Sequence, residues 1–200
     1  MLTSAKISNG INGIANIPGD KSISHRAVII SSISNGISKI ANILKSEDVL
    51  NTINAFKSMK VKIIEKDSNL IIYGKGLNSL LKPTKKINLG NSGTSARLLI
   101  GLLSAQQFES DLYGDNSLSN RPMDRIINPL QKMGANILSK NKKLPINIKG
   151  QKLKNIRYNL EIPSAQIKSG IAFAALFIDK ITEIIEKNVT RDHTEKMLKL

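Results

Sequence analysis

The chain repeats itself, and no other feature constrains its fold as much. An ungapped offset of 74 residues pairs Met59 with Met133, Ile63 with Ile137, Lys66 with Lys140, Leu70 with Leu144, Ile72 with Ile146 and Gly76 with Gly150. Six such matches point to internal duplication. Upstream, Ser22, Ser92 and Ser164 each precede an apolar helical run, at spacings of 70 and 72 residues. Copies of one supersecondary unit therefore fill the sequence.

Within the first copy the apolar pattern predicts a short strand over residues 11–17, a helix over 22–34, a strand over 37–43 and an amphipathic helix over 47–59. Glu47 and Asp48 suit the positive end of that last helix. Strands over 61–66 and 69–74 follow, joined by the turn-forming Asp67 and Ser68. The second copy repeats the plan with strand 86–89, helix 93–105, strand 108–114, helix 124–133 and strands 135–140 and 145–150. The third opens with the alternation Ile156, Tyr158, Leu160, Ile162, runs through helix 165–178 and strand 180–187, and starts a helix near residue 190. Its two closing strands are absent, so the sequence is expected to be incomplete. The runs RLLIGLLSA and GIAFAALFI are apolar almost all round, whereas the strands alternate. Such helices lie inside and such strands cover them with one face in water. The expected fold class is α/β: βαβαββ units at about 16–84, 85–152 and 153–200, the last truncated, forming one incomplete lobe of an inside-out α/β barrel. Residues 1–15 are expected to give an opening strand belonging to, or hinging on, a second lobe.

A net charge of +15 favours anionic partners but does not choose among nucleic acid, membrane and small molecules. Aromatic residues make up only 4% and the basic residues are scattered, which argues against a stacking platform for single strands. The chain has no Cys, hence no disulfide and no thiolate nucleophile, as suits a reducing cytoplasm. His25 and His193 lack ligand-spaced partners, so no metal is expected. No apolar run is long enough to span a bilayer.

Five motifs carry chemistry. PGDKSISHR (18–26) sets Lys21, Ser22 and Arg26 at a helix start, where free N–H groups and the helix dipole already favour anions. NLGNSGTSAR (88–97) adds Asn91, Gly93 and Arg97, without the Gly-Lys-Ser/Thr ending of a P-loop. GDNSLSNRPM (114–123) fixes Arg121 before a proline, and PSAQIKSG (163–170) offers Ser164, Ala165, Gln166 and Lys168. TRDHTEKML (190–198) offers Arg191 and His193, the latter a general base only if something orients it. Taken alone, each motif has the plainer reading of a capped helix or turn with solvated charges, and for PGDKSISHR and TRDHTEKML that is the preferred one. Their recurrence in a pseudo-symmetric lobe would gather Lys21, Arg26, Arg97, Arg121, Lys168 and Arg191 at one end, an array suited to a ligand with several phosphates or carboxylates.

In this order the motifs closely resemble the 5-enolpyruvylshikimate-3-phosphate synthases (3-phosphoshikimate 1-carboxyvinyltransferases), from about residue 7 to residue 200, in the form often called class II. The resemblance implies two lobes of three βαβαββ units. It implies transfer of the enolpyruvyl group of phosphoenolpyruvate to the 5-hydroxyl of shikimate 3-phosphate, with release of phosphate. Lys21 would touch both substrates. Ser22, Arg26, Ser164, Ala165, Gln166 and Arg191 would hold shikimate 3-phosphate, while Asn91, Gly93, Arg121 and Gln166 would hold phosphoenolpyruvate. No cofactor, metal, nucleic acid or membrane is implied, and the full-length enzyme would be a cytoplasmic monomer. The family's proton-transferring Asp and Glu would lie in a second lobe that this chain lacks, leaving it inactive alone. The related UDP-N-acetylglucosamine enolpyruvyl transferases normally use a Cys, absent here. A non-catalytic anion-binding module is the other alternative.

Overall fold

The computed structural model describes Ser4, Gly10 and residues 12–66 and 69–200. In the first unit, α1 (Lys21–Ile33) starts where the Asp20 carboxylate accepts the Ile23 N–H at 2.7 Å. Strand β1 (Asn35–Ile40), helix α2 (Glu47–Ser58) and strands β2 (Lys62–Lys66) and β3 (Asn69–Lys75) follow. β3 lies between β1 and β2, antiparallel to both. Helix α2 buries Val49, Ile53 and Phe56, and carries acidic residues in its first turn and Lys57 in its last. The predicted turn at residues 67 and 68 lies outside the described residues. The predicted opening strand does not form across residues 12–17; residue 11 and most of those before it are also outside the description. Strands exist through pairing, and there Ile14 and Ile17 stay 95% and 81% exposed, with no ladder beside them.

The second unit contains β4 (Ile87–Asn88), α3 (Gly93–Ser104), β5 (Glu109–Tyr113), α4 (Asn116–Ser119), α5 (Asp124–Lys132), β6 (Asn136–Ser139) and β7 (Ile146–Lys149). Its sheet order is β4-β5-β7-β6, with β4 parallel to β5 and the rest antiparallel. Without β4 this is the order of the first sheet, so the duplication read from sequence is a duplication of topology. The ungapped offset breaks at one place. Ile63 pairs with Ile72, whereas Ile137 pairs with Ile148, so the closing strand of the second hairpin is displaced by two residues from the position the offset gives. A short 3-10 turn at Lys140–Lys142 sits in the longer connection. Helix α4, absent from the sequence reading, is a single turn held by the Asp115 carboxylate, which accepts the Leu118 N–H at 2.7 Å.

The third unit has β8 (Arg157–Asn159), α6 (Ala165–Ala175), β9 (Glu183–Ile185) and α7 (His193–Met197), with β8 parallel to β9. Both strands are much shorter than the alternation predicts, because each is regular only where the other pairs with it.

The helices are inside and the sheets outside. Helix α3 is buried from Leu98 to Ser104 without interruption, whereas β3 and β5 alternate between core and surface. The buried apolar side chains of all three units join in one core. Helices α3 and α6 cross at their glycines. A Cβ on Gly101 would lie 2.0 Å from the Gly170 carbonyl oxygen, and one on Gly170 would lie 2.8 Å from the Arg97 carbonyl oxygen. Only residues without side chains permit that separation. Among the described residues, no helix is long and apolar enough to cross a membrane.

Gly101→Ala therefore forces two backbones apart, and its expected cost is about 1–3 kcal/mol by the general scale of overpacking. Thermal unfolding is the measurement, with Gly13→Ala, which meets nothing within 4 Å, as the silent control. Equal melting of the two variants would contradict the crossing.

Candidate anion site at the helix starts

Helices α1, α3 and α6 each present a first turn capped by a side chain and flanked by cations. At α1, the Lys21 ammonium sits 2.5 Å from Asp48 Oδ2 on α2 and is half exposed. An ion pair so placed is worth about 0–1 kcal/mol, so an anionic ligand can compete for the lysine. At α3, the Ser92 hydroxyl accepts the Ser95 N–H at 3.1 Å, and at α6 the Ser164 hydroxyl accepts the Ile167 N–H at 3.4 Å.

The starts of α3 and α6 are joined by side chains. Gln166 accepts from Arg97 Nη1 through Oε1 at 3.0 Å and donates through Nε2 to Thr94 Oγ1 at 3.0 Å. Arg97 also donates to the carbonyls of Gly93 and Pro122, both at 3.2 Å. Burial lowers the Arg97 pKa, and the positive charges of Arg121 and Arg125 add to that; Asp124 opposes them. Two guanidiniums thus share one corner. Gly93 makes room for them: a Cβ there would lie 2.8 Å from Arg97 Nη1 and 3.3 Å from Arg121 Nη1. Arg121 Nη2 donates to Asn91 Oδ1 at 2.5 Å, and the Asn91 amide donates to Asp115 Oδ2 at 2.9 Å. The carboxylate that caps α4 therefore also sets which way Asn91 faces.

Arg26 is 3% exposed. Its Nε donates to Thr194 Oγ1 at 2.7 Å, Nη1 to the Ser22 carbonyl at 3.0 Å and Nη2 to Ser169 Oγ at 2.8 Å. Its pKa is lowered by burial first and by Arg191 next. Arg191 itself is exposed. With Ser164, Ala165 and Gln166 it lines a cavity of about 390 Å³ completed by Pro163 and Thr190. Lys168, expected in the cationic array, is not part of it: its ammonium is buried between Glu186 and Glu195, at 2.7 Å from each. At i+4 from Ser164, it lies beyond the first turn of α6. Among the described residues no hydrogen-bond partner is found for the buried His193 Nδ1, so none of them orients it as a base through that atom.

Behind the site, His25 is fully buried. Its Nδ1 lies 2.8 Å from Thr52 Oγ1 and 3.2 Å from Ser95 Oγ, and its Nε2 lies 3.5 Å from Ser92 Oγ. The ring joins α1, α2 and the cap of α3. Burial lowers its pKa from 6.5 to about 4; Asp48 opposes this, and Lys21 and Arg26 reinforce it.

A profile of the EPSP synthase (3-phosphoshikimate 1-carboxyvinyltransferase) family matches residues 5–200. The chain belongs to that family. It is 55% identical over 193 residues to a 3-phosphoshikimate 1-carboxyvinyltransferase of Vesicomyosocius okutanii, covering 96% of this chain and 44% of the relative. It is 50% identical over 194 residues to one of Lactococcus lactis, at 96% and 45% coverage. An EPSP synthase structure from Acinetobacter baumannii superposes with a TM-score of 0.89 at 46% identity, over 94% of this chain and 43% of that one. The chain thus spans under half the length of the curated relatives it matches.

Of the residues singled out by motif, Asn91, Gly93, Arg121 and Gln166 come together around Arg97, and Ser164, Ala165, Gln166 and Arg191 line one cavity. Lys21 and Ser22 stand at the start of α1, and Arg26 is turned into the packing beneath them. Sequence reasoning misses the partners. By pattern Asp48 is only a dipole complement, Asp115 carries no signal of its own, and His25 is only a histidine without a second metal ligand.

The His25 pKa has a defined sign in stability. Between pH 6.5 and about 4 the unfolded chain binds a proton that the folded chain does not, so stability falls as pH falls through that window. The full effect is about 3 kcal/mol. Urea unfolding of wild type and His25→Asn at steps from pH 7 to 4.5 tests this. The stability difference between the two proteins should shrink toward the acid end, and a constant difference would refute the buried neutral ring.

Proposed function

We propose that this chain supplies one lobe's share of the site of a 3-phosphoshikimate 1-carboxyvinyltransferase. The enzyme would transfer the enolpyruvyl group of phosphoenolpyruvate to the 5-hydroxyl of shikimate 3-phosphate and release phosphate. The observation that carries this reading is Gln166. It lines the cavity beside Arg191 and also hydrogen-bonds Arg97, next to Gly93 and Arg121, so one side chain joins a cationic cavity to a corner that holds two guanidiniums. Two adjacent cationic places suit two anionic reactants held for reaction.

On this reading Ser164, the Ala165 backbone and Arg191 hold the phosphate of shikimate 3-phosphate, with Ser22 and Arg26 at its carboxylate side. Asn91, the Gly93 backbone and Arg121 hold phosphoenolpyruvate. Lys21 leaves its weak pairing with Asp48 to lie between them. These groups orient both reactants and stabilise developing charge, which are the two large contributions available to a site of fixed cations and backbone donors. The family resemblance puts the proton-transferring carboxylates on a second lobe, so the reading predicts binding by this chain without turnover. The full-length enzyme would be a cytoplasmic monomer needing no cofactor.

Calorimetry tests the reading. Shikimate 3-phosphate should bind the chain, Arg191→Ala should weaken it about tenfold or more, as expected for a charge-assisted contact, and Arg121→Ala should leave it nearly unchanged. Steeply salt-dependent binding of a short duplex with no response to shikimate 3-phosphate would favour a nucleic-acid module instead. Release of phosphate from the two substrates by this chain alone would overturn the half-site reading.

A further inference from the structure

Lys168 is 8% exposed and does not line the Arg191 cavity, yet among the described residues it alone is ion-paired to two carboxylates. Its ammonium donates to Glu186 Oε1 at 2.7 Å and lies 2.7 Å from Glu195 Oε1. Glu186 follows β9 and Glu195 lies in α7, so one cation on α6 ties down both ends of the segment between them. The other Glu186 oxygen accepts the Thr190 hydroxyl at 2.7 Å. At the far end of the segment Thr194 is held by Arg26 at 2.7 Å and donates to Ser169 at 2.6 Å.

Between these fixed points stands Arg191, for which no hydrogen bond or ion pair is found among the described residues. The carboxylates of the segment are all committed elsewhere: Glu186 and Glu195 to Lys168, and Asp192 to Lys196 at 3.1 Å. Burial alone would lower the Lys168 pKa, but its hydrogen bonds to Glu186 and Glu195 outweigh that and raise it, so the clasp stays charged at neutral pH.

We propose that Lys168 is a positioning residue for the phosphate pocket: it holds the segment from Glu186 to Glu195 so that Arg191 alone presents its charge to a phosphate monoester seated at the start of α6. The proposal rests on the functional reading above. Without the lysine, two partly buried carboxylates lose their counter-charge. They are then free to turn toward Arg191, which stands between them in the chain, and the pocket loses both its shape and its net positive charge.

The test reads the segment and the pocket separately. In Lys168→Met, amide hydrogen exchange across residues 186–195 should rise while α3 stays protected. Affinity for shikimate 3-phosphate should fall about tenfold, on the scale of coupled neighbours. Lys168→Arg should restore part of both. On an Arg191→Ala background, Lys168→Met should cost no further affinity, which a general loss of structure would not reproduce. Should Lys168→Met fail to fold, Glu186→Gln removes the same ion pair from its other side and should raise exchange and lower affinity in the same way. Unchanged exchange, or unchanged affinity despite faster exchange, overturns the proposal. Faster exchange in a chain whose wild type binds no shikimate 3-phosphate leaves the clasp standing and refutes the functional reading.

Discussion

The close crossing of α3 and α6 is the constraint on which the rest of the lobe depends. The Gly170 carbonyl occupies the space where a side chain on Gly101 would begin, and Gly170 in turn rests against the Arg97 carbonyl. Because the two helices touch backbone to backbone, their first turns arrive side by side. Gln166 then meets both Arg97 and Thr94 at 3.0 Å. Thicker residues at the crossing would separate those turns by more than a hydrogen bond can span. The position of the polar corner is thus set in the apolar centre of the lobe.

The basic residues fall into two groups. Arg26 and Lys168 are spent inside the protein, on hydroxyls and a carbonyl in one case and on carboxylates in the other. Lys21, Arg121 and Arg191 keep exposed heads with one exchangeable partner or none. Such buried cations tie elements together, as Arg26 does while also bordering the proposed carboxylate side, and those at the rim stand most open to a ligand. His25 belongs to the first group without a charge, its burial favouring the neutral ring that joins α1, α2 and α3.

Much of this is legible in the residues. Hydrophobic periodicity locates the longer helices and strands because each buries a face large enough to dominate its own segment, as Val49, Ile53 and Phe56 do in α2. The motifs locate Asn91, Gly93, Arg121 and Gln166 because helix starts announce themselves locally. What stays hidden is pairing. Nothing near Lys168 in the sequence says that Glu186 and Glu195 will meet it, and a lysine near the start of a helix looks the same whether it faces ligand or carboxylate. The third unit's strands fall short of their pattern for the same reason: Ile156 to Ile162 alternate perfectly, but the ladder runs only from Arg157 to Asn159, with one backbone bond each at Ile156 and Leu160 closing its ends.

The two hairpins that close the first and second units differ in a way that says how duplicated sheets can diverge. Their pairing is offset by two residues, not one, between Ile72 opposite Ile63 and Ile148 opposite Ile137. A slip of one would have turned every inward side chain of the strand to water. Copies of a strand whose inner face seals a core are therefore quantised in their drift. They can lengthen a turn and move along each other only by whole pleats, and an alignment that keeps the core but misses the turn will be wrong by an even number.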